Sequence, residues 1–341
     1  MPEELAKPAS NPVIAGNGVH LLQVPEWNEL PWLWHGFSTR RGGVSRAYCA
    51  EDAPGELNLG FTAHDDRDFV TANRRLLAEA VSGDPTTQLV TVRQFHSNLV
   101  VAAPGHGKEV ASKDGAPDDR SSSPGCKDGV PSDGSSSRGC KGDGLITAEP
   151  GLLLAIQTAD CIPVLVADRK QRIVAAFHAG WRGTVQRIVE LGVGKMRLEF
   201  GSKPRDLIAA IGPGIGACCY AIGEEVLSAF ESQFTYGRAL FQEVFDTDPV
   251  RTKYPMLFLT QRAPGHSPIG PSLHLDLIEA NRRQLLDAGV KPGAIRVVGG
   301  CTSCRPDLFF SHRASQGHAG RMMSVIGLRP RFSPPNRQKM K

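Results

Sequence analysis

The chain has 341 residues, with 39 Lys and Arg against 35 Asp and Glu, for a formal net charge of +4. At about 150 residues per domain this length predicts one large domain or two ordinary ones, and so mild a charge excludes a basic surface built for nucleic acid or membrane. The 37 glycines and 25 prolines make the chain loop-rich, but its apolar runs exclude collagen, a coiled coil and a wholly disordered chain.

Residues 1–17 carry Glu3, Glu4 and Lys7 and only the short apolar run Val13-Ile14-Ala15. They read as a disordered N-terminus and not as a secretory signal. No apolar run nears the about 20 residues of a membrane span. Eight cysteines in so long a chain do not form a disulfide scaffold, so the reducing cytoplasm is the expected compartment. One domain is expected over 18–330, followed by a basic tail at 331–341.

The first helix is predicted where Phe69, Leu76, Leu77, Ala80 and Val81 share a face. Strands follow at Gln88–Arg93 and Asn98–Ala103. Between Pro104 and Asp143 there is no Leu, Ile, Met or aromatic residue, and a 14-residue unit from Lys113 to Cys126 is repeated from Lys127 to Cys140. So little apolar surface cannot offset the entropy of ordering, and 105–142 reads as a flexible surface insertion. Strands resume at Leu152–Gln157, Ile162–Asp168 and Ile173–His178. A helix with Val185, Ile188, Val189, Val193, Met196 and Phe200 on one face follows, with Thr184 as its expected N-cap. Next come a strand at Leu207–Gly212, a helix at Ile222–Phe234, a helix opened by Asp276 and Glu279 as a capping box and closed at Gly289, and a strand at Ile295–Gly299. Strands and helices interleave without a regular period, which predicts an α/β domain with a mixed sheet.

Three residues with metal-binding side chains sit at strand ends: His96, Cys161 and His178. Imidazole and thiolate suit Zn²⁺, and three protein ligands leave a fourth position for water or substrate. Spacing alone leaves open a buried thiol and two unrelated imidazoles. Trp181-Arg182-Gly183-Thr184 leads from a strand into a helix N-terminus and is a candidate anion site with Arg182 as its cation; an ordinary turn is the alternative. Ser38-Thr39-Arg40-Arg41-Gly42-Gly43 is a second candidate, or a glycine-rich hairpin. Gly212-Pro213-Gly214-Ile215-Gly216 lacks dinucleotide-binding spacing and reads as a strand-to-helix turn. Cys301-Thr302-Ser303-Cys304 lacks a properly spaced second pair for a zinc ribbon, since Cys218-Cys219 is adjacent, and reads as two loop thiols near a pocket.

Taken in order, these segments resemble the laccase-domain family, the YfiH-like proteins described both as multicopper polyphenol oxidases and as purine nucleoside phosphorylases. The resemblance runs through His35-Gly36-Phe37-Ser38-Thr39-Arg40, Asn58-Leu59-Gly60, Gln94-Phe95-His96 and Asp143-Gly144-Leu145-Ile146-Thr147. It continues through Thr158-Ala159-Asp160-Cys161, His178-Ala179-Gly180-Trp181-Arg182-Gly183, Ile211-Gly212-Pro213 with Cys219-Tyr220, Cys301-Thr302 and Phe309-Phe310-Ser311-His312-Arg313. It implies a single α/β domain with mixed sheet layers flanked by helices, and one zinc ion, with copper possible in its place, on His96, Cys161 and His178. It also implies phosphorolysis of adenosine, inosine, guanosine and methylthioadenosine, with adenosine deamination. Purine nucleosides and phosphate are then the partners, with no nucleic acid and no membrane.

Deamination calls for water whose pKa a metal lowers, and phosphorolysis for phosphate held against C1′ of an oxocarbenium-like state. Arg182 or Arg40 is the expected phosphate partner, and Asp160 the expected proton shuttle or orienter of Cys161. Gly43, Asn58 and Cys301 join Arg40 as expected substrate-binding positions. A polyphenol oxidase would need a trinuclear copper cluster fed by H-x-H pairs, and no two of the ten histidines are separated by a single residue. A zinc amidase editing a peptidoglycan precursor would use the same three ligands, and a non-enzymatic binding protein would need none of them.

Overall fold

Runs of β-branched residues and leucine build two sheets whose edges bring distant segments together. The computed structural model describes residues 11–103, 140–245, 253 and 271–330. The tail at 331–341 and all of the repeat insertion except Cys140–Gly142 lie outside the described residues. In chain order the strands are β1 (Val13–Ile14), β2 (His20–Leu22), β3 (Leu33–Ser38), β4 (Arg41–Ser45), β5 (Gln88–Val90), β6 (Val100–Ala102), β7 (Gly144–Thr147) and β8 (Leu152–Thr158). They continue with β9 (Ile162–Asp168), β10 (Ile173–Ala179), β11 (Leu207–Ile211), β12 (Ala221–Ile222), β13 (Phe241–Val244), β14 (Ser272–Leu275), β15 (Ile295–Val297) and β16 (Met322–Leu328). The helices are α1 (Pro25–Asn28), α2 (Arg67–Ser82), α3 (Trp181–Val185), α4 (Ile188–Phe200), α5 (Glu224–Gln233) and α6 (Leu277–Asp287).

Two six-stranded sheets form, ordered β1-β2-β3-β16-β8-β5 and β15-β11-β9-β10-β7-β6, beside a three-stranded sheet β12-β14-β13. The pairs β5–β8, β6–β7 and β11–β15 are parallel and the rest antiparallel, so both large sheets are mixed as expected. Alternation along each strand decides the layers. Leu154 and Ile156 of β8 meet Leu165, Ala167, Val174 and Ala176 of the facing sheet, while Leu153 and Ala155 point the other way onto Leu77 and Val81 of α2. Val164, Val166, Ala175 and Phe177 cover the outer face of the second sheet, under Val189, Val193 and Met196 of α4 and Leu277, Ala280 and Leu285 of α6. Strands buried on both faces read as continuous apolar runs, which is why β8, β9 and β10 stand out in the sequence.

Several boundaries differ from the expectation. β1 pairs with β2 inside the segment expected to be disordered at 1–17, through Val13 opposite Leu21 and Ile14 opposite His20. The helix expected from Val185 starts at Ile188, because Arg187 adopts a left-handed conformation at φ 61° and becomes its N-cap; Thr184 lies inside the separate turn α3. Ile222 belongs to β12, and α5 begins at Glu224. The Gly212–Gly216 segment leads to β12, not directly into a helix. At α6 the Asp276 carboxylate accepts the Glu279 amide at 2.9 Å, and Gly289 at φ 89° closes the C-terminal end.

The register of the second sheet creates the site. Ala179 pairs with Ile162 and His178 with Pro163, so the end of β10 lies against the residue preceding β9. Phe177 pairs with Gly144 and Gly144 with Val100. Asp143 and the segment before β6 therefore reach the same edge.

Candidate metal centre

At that edge one nitrogen or sulfur atom from each of His96, Cys161 and His178 lies within 4.8 Å of the others. The Cys161 sulfur is 3.8 Å from His96 Nε2, and the two imidazoles stand edge to face with centroids 5.0 Å apart. His96 is exposed, Cys161 half-buried and His178 buried, so the cluster opens to solvent on the His96 side.

One carboxylate fixes two of the three. Asp143, fully buried, has Oδ1 2.9 Å from His178 Nδ1, leaving Nε2 to face Cys161. It also accepts the amides of Phe95 at 3.3 Å, His96 at 3.0 Å and Ser97 at 2.7 Å, and the Ser97 hydroxyl at 2.7 Å. Those bonds hold His96 at φ 64°, a left-handed conformation that costs a non-glycine residue about 1–3 kcal/mol and persists only where its surroundings enforce it. Gly180 completes the packing. A Cβ there would lie 2.9 Å from the Cys161 sulfur and 3.0 Å from His96 Cδ2.

The electrostatics are those of a ligand set. Burial raises the Cys161 pKa, but the His178 charge and hydrogen bonds from His178 and His96 bring it down to about 6. Burial likewise disfavours charge on His178, yet the Cys161 thiolate and the Asp143 hydrogen bond lift it to about 9. Asp143 resists burial through His178 and Ser97 and falls to about 2. A thiolate and two imidazoles, one oriented by a carboxylate, make a borderline-soft donor set that fits a single zinc or copper ion.

Asp160, at φ 91°, is buried beside Cys161 with both oxygens engaged: Oδ1 accepts the Thr302 hydroxyl at 2.6 Å and Oδ2 the Arg313 amide at 2.7 Å. Arg182 is exposed on α3, with its guanidinium 4.3 Å from the Trp181 ring centroid. Only five residues long, α3 has little dipole to offer an anion, so Arg182 itself is the available charge. Tyr220 is held neutral chiefly by burial, which outweighs the opposing charges of Arg313 and Arg182. The Arg313 guanidinium lies 5.3 Å from the Tyr220 ring centroid.

The other expected positions have partners of their own. Arg40 pairs with Glu56 at 2.7 Å, donates to the carbonyls of Pro306 and Tyr48, and lies over Phe310. A Cβ on Gly43 would lie 2.4 Å from the Glu56 carbonyl oxygen. Asn58, fully buried, accepts from Gly60 and Arg321 and donates to Asp65. Cys301 gathers with Cys218, Cys219 and Cys304. Sequence reasoning gave no role to Asp143, Tyr220 and Arg313, although all three stand in or beside the motifs that carried the resemblance; Asp143 lies 35 residues from His178.

The family described as multi-copper polyphenol oxidoreductase laccase matches residues 34–329. A purine nucleoside phosphorylase of Geobacillus stearothermophilus is 34% identical over 301 residues, covering 87% of this chain and 91% of its own length. The crystal structure of the hypothetical protein YfiH from Bacillus licheniformis superposes with a TM-score of 0.70 at 28% identity, covering 93% of this chain and 97% of the other. An adenosine deaminase from an unknown prokaryotic organism is 33% identical over 184 residues, 54% of this chain and 61% of its own.

Proposed function

The chain belongs to the multi-copper polyphenol oxidoreductase laccase family, and from that premise we propose that it is a zinc-dependent purine nucleoside phosphorylase that also deaminates adenosine. The observation that carries the reading is the meeting of His96, Cys161 and His178 at one sheet edge, with Arg182 on the turn that follows His178 and Arg313, beside Tyr220, bonded through its amide to Asp160 next to Cys161. The similarity to a purine nucleoside phosphorylase over nearly the whole chain supports the substrate class, and the similarity to an adenosine deaminase supports the second activity. His96, Cys161 and His178 would hold the ion, which when bound supplies Lewis acidity at an open position.

In phosphorolysis an oxygen of hydrogen phosphate bonds to C1′ of the ribose as the C1′–N9 bond breaks, and the base leaves with the electron pair and takes up the proton that the phosphate gives up. Arg182 and Arg313 supply the two positive charges that bind phosphate and offset the charge developing on it. Tyr220, neutral and half-buried, is a hydrogen-bond donor to substrate. Asp160, with both oxygens occupied, acts as a positioning residue for Cys161 and Arg313, not as a proton shuttle. Among the described residues no group of imidazoles assembles as a trinuclear copper cluster would require; the candidate groups are this trio and four cysteines.

The test is product chromatography after incubation with adenosine and inosine, with and without phosphate, beside a Cys161→Ala control. Free base and ribose 1-phosphate formed only with phosphate, and lost in the control, are expected. Inosine formed from adenosine without phosphate is expected for the second activity. If neither nucleoside reacts with zinc bound, the amidase reading takes its place.

A further inference from the structure

Four thiols converge at a place the proposed reaction does not use. We propose that Cys218, Cys219, Cys301 and Cys304 form a second metal site, a closed tetrathiolate centre for one zinc ion that braces the wall of the first. All four sulfurs lie within 4.8 Å of one another, and Cys304 is 3.5 Å from Cys218 and 3.4 Å from Cys219. A tetrahedral ion bonded to sulfur at about 2.3 Å places its ligands about 3.8 Å apart, which matches this spread. An iron–sulfur cluster divides its four thiolates among two or four irons and holds those on different irons further apart than this, so a single ion fits better.

The ligands come from the turn at 217–219 and from Cys301 with the turn at 302–304 that follows it, two segments that the backbone already joins. Gly214 bridges Cys301, and the Thr302 amide donates to the Gly214 carbonyl at 3.0 Å. Gly216 lets the turns close, since a Cβ there would lie 3.2 Å from Cys301 Cβ and 3.3 Å from the Cys218 sulfur. Cys301-x-x-Cys304 is half of a zinc site, and the adjacent pair Cys218-Cys219, 86 residues before Cys304 in the case of Cys218, supplies the rest. Four protein ligands leave no open position, so the site is structural. Its turns carry Thr302, which bonds Asp160 next to Cys161, and Tyr220, which follows Cys219.

Elemental analysis of the full chain purified under reducing conditions, combined with X-ray absorption at the zinc edge, tests this. Two zinc ions per chain are expected, with about 2.5 sulfurs per zinc on average. Cys161→Ala should keep one zinc with an all-sulfur shell. Cys218→Ser/Cys304→Ser should lose that shell and keep a nitrogen-rich zinc; if this variant does not fold, the wild-type stoichiometry and the Cys161→Ala shell decide. One zinc in the wild type that vanishes in Cys161→Ala would overturn the proposal. So would a disulfide among the four cysteines in place of a second metal.

Discussion

Asp143 Oδ1 lies 2.9 Å from His178 Nδ1 while the same carboxylate accepts the amides on either side of His96. One buried side chain, directly before β7, thus positions two of the three candidate ligands. Replacing it with Asn keeps the shape but removes the charge and one acceptor. Asp143→Asn should weaken zinc binding by about 10–100-fold, read by competition with a chelating dye. Unchanged affinity would mean the ligands are held by other contacts.

Gly180→Ala brings a methyl group 2.9 Å from the Cys161 sulfur, whereas Gly194 on α4 has nothing within 4 Å of its Cβ position. Gly180→Ala should lose metal and turnover while keeping its circular dichroism spectrum. Gly194→Ala should keep both and raise stability by about 0.5–1 kcal/mol in denaturant titration.

Arg182 or Arg40 is the phosphate partner expected from the sequence, and their surroundings separate them. Arg182→Ala should raise KM for phosphate about 10–100-fold, the loss of one charge-assisted contact, with little change in unfolding midpoint. Arg40→Ala breaks the Glu56 pair and several carbonyl contacts, so its main effect should be on stability.

His35 is buried, accepts the Val24 amide at Nε2 over 3.0 Å, and burial holds its pKa at about 4 against 6.5 for the free side chain. The folded value is the lower one, so the contribution is full above pH 6.5 and is lost as pH falls through 4. Between pH 7 and pH 5 His35 should account for about 2 kcal/mol of lost stability. His35→Gln should flatten that part of the profile in urea titrations, and an unchanged profile would assign the loss to other groups.

The sequence made β8, β9 and β10 legible because their residues are buried on both faces. β3 and β16 were missed because His35, Gly36, Ser324 and Gly327 interrupt their apolar runs, although both strands lie fully buried at the centre of a sheet. The three candidate ligands could be picked from the sequence because Cys161 and His178 stand at strand ends and His96 in the loop between β5 and β6, each among small or polar residues. Asp143 was not, because a carboxylate has no spacing signal until the register of β7 and β10 sets it opposite His178. The four cysteines were read apart for the same reason: the fold joins the pairs, and their spacing does not.

Phosphate-dependent cleavage at the His96, Cys161 and His178 centre can be tested directly through the metal. Inosine and phosphate should be assayed before chelation, after chelation, and as zinc is returned. Base formation should disappear with the metal and recover with it, and should not recover in Cys161→Ala. Cleavage that persists unchanged in the chelated protein would contradict the account.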